Sequence, residues 1–74
     1  MLSVSIQLGK RITYLRTKKG WSQLDLSLEA NINKNYLSDL EHGRRNPSLV
    51  ILTRLARVFN MDLSELLKGI TFLE

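Results

Sequence analysis

The side chains with chemistry to offer lie close together, between positions 33 and 46. Asn35, Ser38, Asp39 and His42 interleave with Leu37 and Leu40 at helical spacing, so they form the outward face of one short helix whose leucines turn inward. This set suits hydrogen bonding rather than bond breaking. Asn35 carries the amide donor and acceptor that match adenine in a major groove, and Lys34 at the helix start is placed for phosphate or guanine. Asp39 can accept from cytosine or order a neighbouring base, although a carboxylate beside phosphates meets repulsion. His42 is better placed as a cation near the helix C-terminus, or as solvated surface, than as a base reader. Arg44 and Arg45 follow in the basic loop Arg44-Arg45-Asn46-Pro47, where they can neutralise phosphates. The plain alternative for each of these residues is ordinary solvated surface.

Other chemistries are poorly provided for. The chain has no cysteine and one histidine, so it lacks a thiolate nucleophile and a Cys/His metal cluster. No carboxylate cluster could hold a metal and no glycine-rich phosphate loop occurs, so neither an enzyme, a metal nor a cofactor is expected. MLSVSIQLGK lacks a basic region followed by a long apolar run, and no stretch approaches roughly eighteen apolar residues. A soluble cytoplasmic protein without a membrane partner is expected, and a cysteine-free chain fits a reducing compartment. Eleven Lys and Arg against seven Asp and Glu leave a net charge of +4. Lys10, Arg11, Arg16, Lys18 and Lys19 fall in the first twenty residues without an acid, and Arg44, Arg45, Arg54 and Arg57 are opposed in residues 41–60 only by Glu41. Two basic segments imply an anionic partner, with nucleic acid ahead of a membrane surface.

The elements that must position these residues are all helical. The 74 residues make one domain, 1–74, with a modest core, because a chain this short buries only about 60% of its unfolded surface. Val4, Leu8, Ile12 and Leu15 predict a helix over residues 4–19, stopped by Gly20. Ser22 and Asp25 form a capping box for a helix over 23–30, with Trp21 and Leu26 as a staple, Leu26 and Ala30 inside, and Asn31 as a left-handed stop. Asn33 caps a third helix over 34–42, stapled by Ile32 and Leu37 and stopped by Gly43. Ser48 caps a fourth over 49–59, with Leu52, Leu55, Ala56 and Phe59 inside. Asp62 and Glu65 open a fifth over 63–68. No alternating strand pattern interrupts the series.

Two short helices across a tight turn, the second polar outside and apolar inside, satisfy the requirements of a helix-turn-helix. The residues Gly20-Trp21-Ser22-Gln23 with Leu26, and the run Tyr36-Leu37-Ser38-Asp39-Leu40-Glu41-His42-Gly43-Arg44-Arg45-Asn46-Pro47-Ser48-Leu49, resemble the Cro/repressor-type (XRE-like) helix-turn-helix family from about Leu8 to Leu67. Within it, Tyr36 to Leu49 is most similar to the small controller proteins of restriction-modification systems. The resemblance implies an all-α, compact five-helix bundle of the lambda repressor-like kind. It also implies that Gln23 binds a phosphate and orients the recognition helix, a role that suits its place at a helix N-terminus. By the same resemblance Lys34, Asn35, Ser38 and Asp39 read bases or adjoining phosphates, Tyr36 touches backbone or a thymine methyl, and Arg44, Arg45 and Asn46 lie over phosphates. The sequence departs from the family at Asn31, where a glycine is usual, and at Ser27, where alanine is usual.

Three further expectations concern contacts. Arg16 lies on the edge of the first apolar stripe and Glu41 falls four residues after Leu37, so the two should meet as a buried or half-buried structural ion pair, as the resemblance also implies. Leu24 and Leu28 point away from Leu26 and form an exposed stripe that could meet a partner protein, although isolated surface leucines are also common; RNA polymerase is a candidate partner if the protein activates from an upstream site. Leu63, Leu66, Ile70 and Phe72 could form a self-complementary dimer interface, or Phe72 could fold back on its own subunit. Together these readings imply a transcription regulator, repressor or activator, that binds double-stranded DNA sequence-specifically as a homodimer on a partly palindromic operator. The alternative is a protein-interaction module, such as an antitoxin or adaptor, built on the same scaffold.

Overall fold

Five helices occupy the described residues, 3–71, of the computed structural model: α1 (Val4–Lys18), α2 (Gln23–Ala30), α3 (Lys34–Glu41), α4 (Leu49–Val58) and α5 (Leu63–Leu66). No strand occurs among these residues. Each helix starts on a side chain that accepts the backbone N–H three residues ahead: Ser3, Ser22, Asn33, Ser48 and Asp62. The reciprocal bond completes a capping box at Ser22/Asp25 and at Asp62/Glu65, as their spacing predicts.

The helix ends share one device. Gly20, Asn31, Gly43 and Asn60 all have positive φ, between 54° and 74°. In each case the N–H of the next residue reaches back five positions, as Trp21 does to the Arg16 carbonyl and Ile32 to that of Ser27. This is the Schellman closure, and glycine or asparagine supplies the left-handed residue at least cost. Three of the four stops are predicted above; Asn60 is the addition. Ser27 is buried, with its hydroxyl donating to the Leu24 carbonyl at 2.7 Å, so the usual alanine site loses nothing to an unsatisfied polar group.

The core runs through all five helices and comprises Leu8, Ile12 and Leu15 from α1, Leu26 and Ala30 from α2, Leu37 and Leu40 from α3, Leu52, Leu55 and Ala56 from α4, and Leu66 from α5, with Ile32 and Phe59 closing it. Val4 is 43% exposed, so it does not continue the buried stripe expected of it. Helix α5 is also shorter than the predicted 63–68: the Lys68 N–H bonds the Glu65 carbonyl three residues back, so the chain tightens into a turn before the left-handed Gly69. The Arg11 guanidinium caps that end, donating to the carbonyls of Glu65 (2.7 Å) and Leu66 (3.1 Å).

One residue sets how closely α1 meets α3. A Cβ on Gly9 would collide with the Glu41 carbonyl oxygen and stand 2.7 Å from that of Leu40, so only glycine allows the two backbones this approach. Helix propensity alone makes Gly→Ala favourable by about 1 kcal/mol. Backbone cannot step aside as a flexible side chain can, so we expect Gly9→Ala to destabilise the fold instead, by about 1–3 kcal/mol in urea unfolding. A more stable variant would place α1 further from α3 than described.

Candidate nucleic-acid interface

Helices α2 and α3 meet across Asn31–Asn33, and α3 is seated by Leu37 and Leu40, both fully buried. Arg54 of α4 braces the turn, its guanidinium donating to the Asn31 carbonyl at 3.3 Å. The opposite face of α3 carries Lys34 and Asn35, both exposed, and Ser38 and Asp39, both half-buried. His42 stays against its own helix, with Nδ1 2.7 Å from the Ser38 carbonyl oxygen.

The seat of α3 is locked by a charged network. Arg16 donates from Nε to Glu41 Oε2 at 2.7 Å and from Nη2 to Oε1 at 3.0 Å, and its Nη1 reaches the Trp21 carbonyl at 2.8 Å. The two side chains are only 14% and 4% exposed, so the expected ion pair is present and buried. Gln23 Nε2 adds a bond to Glu41 Oε1 at 3.1 Å. Gln23 therefore stands at the first position of α2 with its amide anchored to the pair that holds α3 and α1. Burial, the largest single influence, pushes the Glu41 carboxyl up. Hydrogen bonds from Arg16 and Gln23, the Arg16 charge and a bond from Thr13 together outweigh it and hold the group below its ordinary value.

The loop after α3 is tied at both ends. Asp39 pairs with Arg44 at 3.8 Å and with Arg45 at 3.4 Å, and the Arg45 guanidinium lies 5.2 Å from the centre of the Tyr36 ring. Asn46 Oδ1 accepts from the Ser5 hydroxyl at 3.0 Å, which fastens the loop to the first turn of α1. Lys34, Asn35, Tyr36, Ser38, Asp39, Arg44 and Arg45 thus lie together on α3 and its following loop, with Gln23 behind them and Asn46 turned toward α1.

The residues expected at a dimer interface fare differently. Leu66 is fully buried inside its own subunit and cannot reach a partner without unfolding; at the last position of α5 it is that helix's one fully buried side chain. Leu63 and Ile70 are half-buried against the core, and Phe72 lies outside the described residues. The chain after Gly69 folds back at least to Thr71, whose N–H and carbonyl both bond the Gln7 amide, at 3.0 and 2.9 Å. Ile70 there lines an apolar groove of about 200 Å³ with Val4, Leu8, Pro47, Leu52 and Leu67. Leu24 and Leu28 are 50% and 71% exposed, as read from the sequence; Leu49 and Val50, at 70% and 60%, were assigned no surface role there. Helical spacing sets Val50 opposite Leu52 and Phe59, whereas Leu49, three residues before Leu52, shares the inner stripe by periodicity and is exposed only because the core does not reach the first turn of α4. Among the described residues no group of three or more His, Asp or Glu could hold a metal, and no helix is long and apolar enough to cross a membrane.

Two eight-residue helices across a left-handed turn, the second docked on leucines and polar outside, define a helix-turn-helix domain. The chain belongs to the helix-turn-helix family, whose profile matches residues 12–66. It is 40% identical over 67 residues to the HTH-type transcriptional regulator DdrOP3 of Deinococcus deserti, covering 90% of this chain and 52% of that protein. It is 33% identical over 61 residues to the competence pilus inhibition repressor of Acinetobacter baylyi, covering 82% of this chain and 56% of that one. The chain spans about half the length of these two relatives. The crystal structure of the restriction-modification controller protein C.AhdI from Aeromonas hydrophila superposes with a TM-score of 0.79 at 36% identity, over 82% of this chain and 92% of that one. The likeness to controller proteins expected from Tyr36 to Leu49 is borne out.

Removing one side of the buried pair leaves the other charge desolvated. We expect Arg16→Met to lower unfolding free energy by about 3–5 kcal/mol in urea. Acid should act through the same pair. The folded Glu41 carboxyl binds its proton less readily than the unfolded one, so its contribution is complete above the ordinary value of 4.5 and is lost as pH falls through the lower folded value. Glu41→Gln should flatten stability over that acidic range. An Arg16→Met variant that unfolds at the parent's urea midpoint would remove this role from the pair.

Proposed function

We propose that this chain is a transcriptional regulator that binds double-stranded DNA sequence-specifically, as a homodimer on a partly palindromic operator, and does not act as a catalyst. The observation that carries this reading is the seat of α3: fully buried Leu37 and Leu40 fix the helix while Lys34, Asn35 and Ser38 face outward beside a loop bearing Arg44 and Arg45. Membership of the helix-turn-helix family supports it, and the likeness to C.AhdI favours a restriction-modification controller. In this reading α3 enters the major groove, Asn35 pairs with adenine, Lys34 and Ser38 meet bases or phosphates, and Tyr36 touches backbone or a thymine methyl. Gln23, Arg44, Arg45 and Asn46 hold phosphates. Such a protein works in the cytoplasm. The exposure of Leu24 and Leu28 favours, as a second contact, RNA polymerase or another protein on the outer side of α2.

Selection of bound duplexes from a random pool tests the DNA reading and supplies the operator. On that operator Asn35→Ala should weaken specific binding by about 1–3 kcal/mol and relax preference at one base step per half-site, while Arg45→Ala should weaken binding to every sequence. The salt dependence separates the two: losing a phosphate contact flattens the log–log slope by about one unit, and losing a neutral base reader leaves it nearly unchanged. Equal slopes would overturn the division between readers and anchors.

A single recognition helix reads few base pairs, and a two-fold dimer places two of them about 34 Å apart in successive major grooves. We assign the interface to Leu63, Ile70 and Phe72. Phe72→Asp should then yield a folded monomer with unchanged helicity by sedimentation and circular dichroism, and operator affinity reduced at least about tenfold. A variant that stays dimeric moves the interface elsewhere, and one that unfolds makes Phe72 part of the core.

A further inference from the structure

Asp39 stands among the groups assigned to bind an anion, yet it is itself an anion on the outward side of α3. Its carboxylate is divided between two arginines, Oδ1 facing Arg44 Nη1 at 3.8 Å and Oδ2 facing Arg45 Nη2 at 3.4 Å. That is how two guanidinium groups share the non-bridging oxygens of a phosphate. The backbone joins in, because the Arg44 N–H donates to the Asp39 carbonyl at 2.9 Å and ties the loop to the same residue. Arg45 is laid back along α3 over the Tyr36 ring rather than projecting from it. Both pairs are longer than the 2.7–2.9 Å of a tight charge-assisted bond, and the arginines remain 68% and 51% exposed, so the contacts can open.

We propose that Asp39 is an internal stand-in for phosphate: it holds Arg44 and Arg45 in the free protein and must be displaced before either arginine can bind DNA. The inference rests on the DNA-binding reading given above. On an arbitrary duplex the displaced carboxylate is left facing phosphates with no partner, and the cost of opening both pairs is subtracted from binding. At a site where a cytosine amino group meets Asp39, the carboxylate regains a donor. The latch therefore lowers non-specific affinity more than operator affinity, and discrimination against the large excess of other sequences is what a regulator needs.

The test measures binding to a random-sequence duplex at two salt concentrations. Asp39→Asn should bind it about fivefold more tightly than the parent. Glu29→Gln removes a charge from exposed α2 at a residue outside the interface and controls for net charge; it should change binding less than about twofold. In an Arg44→Ala/Arg45→Ala background, adding Asp39→Asn should give a clearly smaller gain, about twofold, because only the direct repulsion between carboxylate and phosphates is then relieved. An equal gain from Asp39→Asn in both backgrounds would reduce Asp39 to simple repulsion and overturn the latch. A DNA-free measurement keeps the two readings apart: the side-chain nitrogen resonances of Arg44 and Arg45 should shift in Asp39→Asn, and unchanged resonances sink the latch whatever the DNA result. Resonances that shift in a protein that binds no duplex at low salt would leave the pairs in place but overturn both the DNA reading and the phosphate competition built on it.

Discussion

The buried pair between Arg16 and Glu41 is the constraint on which the rest of the domain depends, because it joins three helices at one point. Arg16 belongs to α1, Glu41 ends α3, and Gln23, which bonds the same carboxylate, opens α2. Two desolvated charges in this position are tolerable only when their donors and acceptors are taken up, and here the guanidinium has two bonds to the carboxylate and a third to the Trp21 carbonyl. A pair of this kind contributes less to net stability than to register, since a sliding or rotated α3 would leave both charges unpaired. The close approach at Gly9 has the same consequence from the backbone side, as it admits one separation between α1 and the end of α3.

Short helices make this locking necessary. Helices of eight residues such as α2 and α3 are too short to persist in water, where isolated helices below about twelve residues are marginal. Their ends are well specified by side-chain caps and left-handed stops, but these features say where a helix begins and ends, not that it survives. Survival comes from Leu26, Leu37 and Leu40, each wholly removed from water, and from charged groups that brace from outside, Arg54 on the turn and Arg11 on the end of α5. The same rigidity is what an interface needs, since side chains on a helix that moved by an ångström would no longer meet a fixed pattern of donors and acceptors.

The basic residues divide their labour in a way that net charge conceals. Of the cations in the first basic segment, Arg16 is spent on the buried pair and Arg11 on the carbonyls of α5, while Lys18 and Lys19 lie over the rings of Tyr14 and Trp21. In the second, Arg54 serves the turn. Of the other six, Lys34, Arg44 and Arg45 lie on α3 and its following loop, and Asp39 opposes two of those three. A count of eleven cations thus overstates the charge that this face presents, and the arrangement of the cations carries more information than their number.

What the sequence determined by itself was whatever depends on near neighbours in the chain. Caps at Ser22, Asn33, Ser48 and Asp62 and stops at Gly20, Asn31 and Gly43 act within one helical turn, so their chemistry is complete in a short stretch of sequence, and helix boundaries followed to within a residue except in α5. The outward face of α3 was legible for the same reason, as periodicity relates residues three and four apart. Even the Arg16–Glu41 pair could be anticipated, because a charge on an apolar edge requires a partner. Tertiary structure alone decided that an arginine 55 residues away caps the end of α5, and that α1 and α3 approach closely enough to favour glycine at position 9. It decided that Leu66 is core while Leu49 is surface, and that Asp39 faces two arginines. Burial and ion pairing depend on which groups are neighbours in space, and those neighbours are fixed only when all five helices have packed.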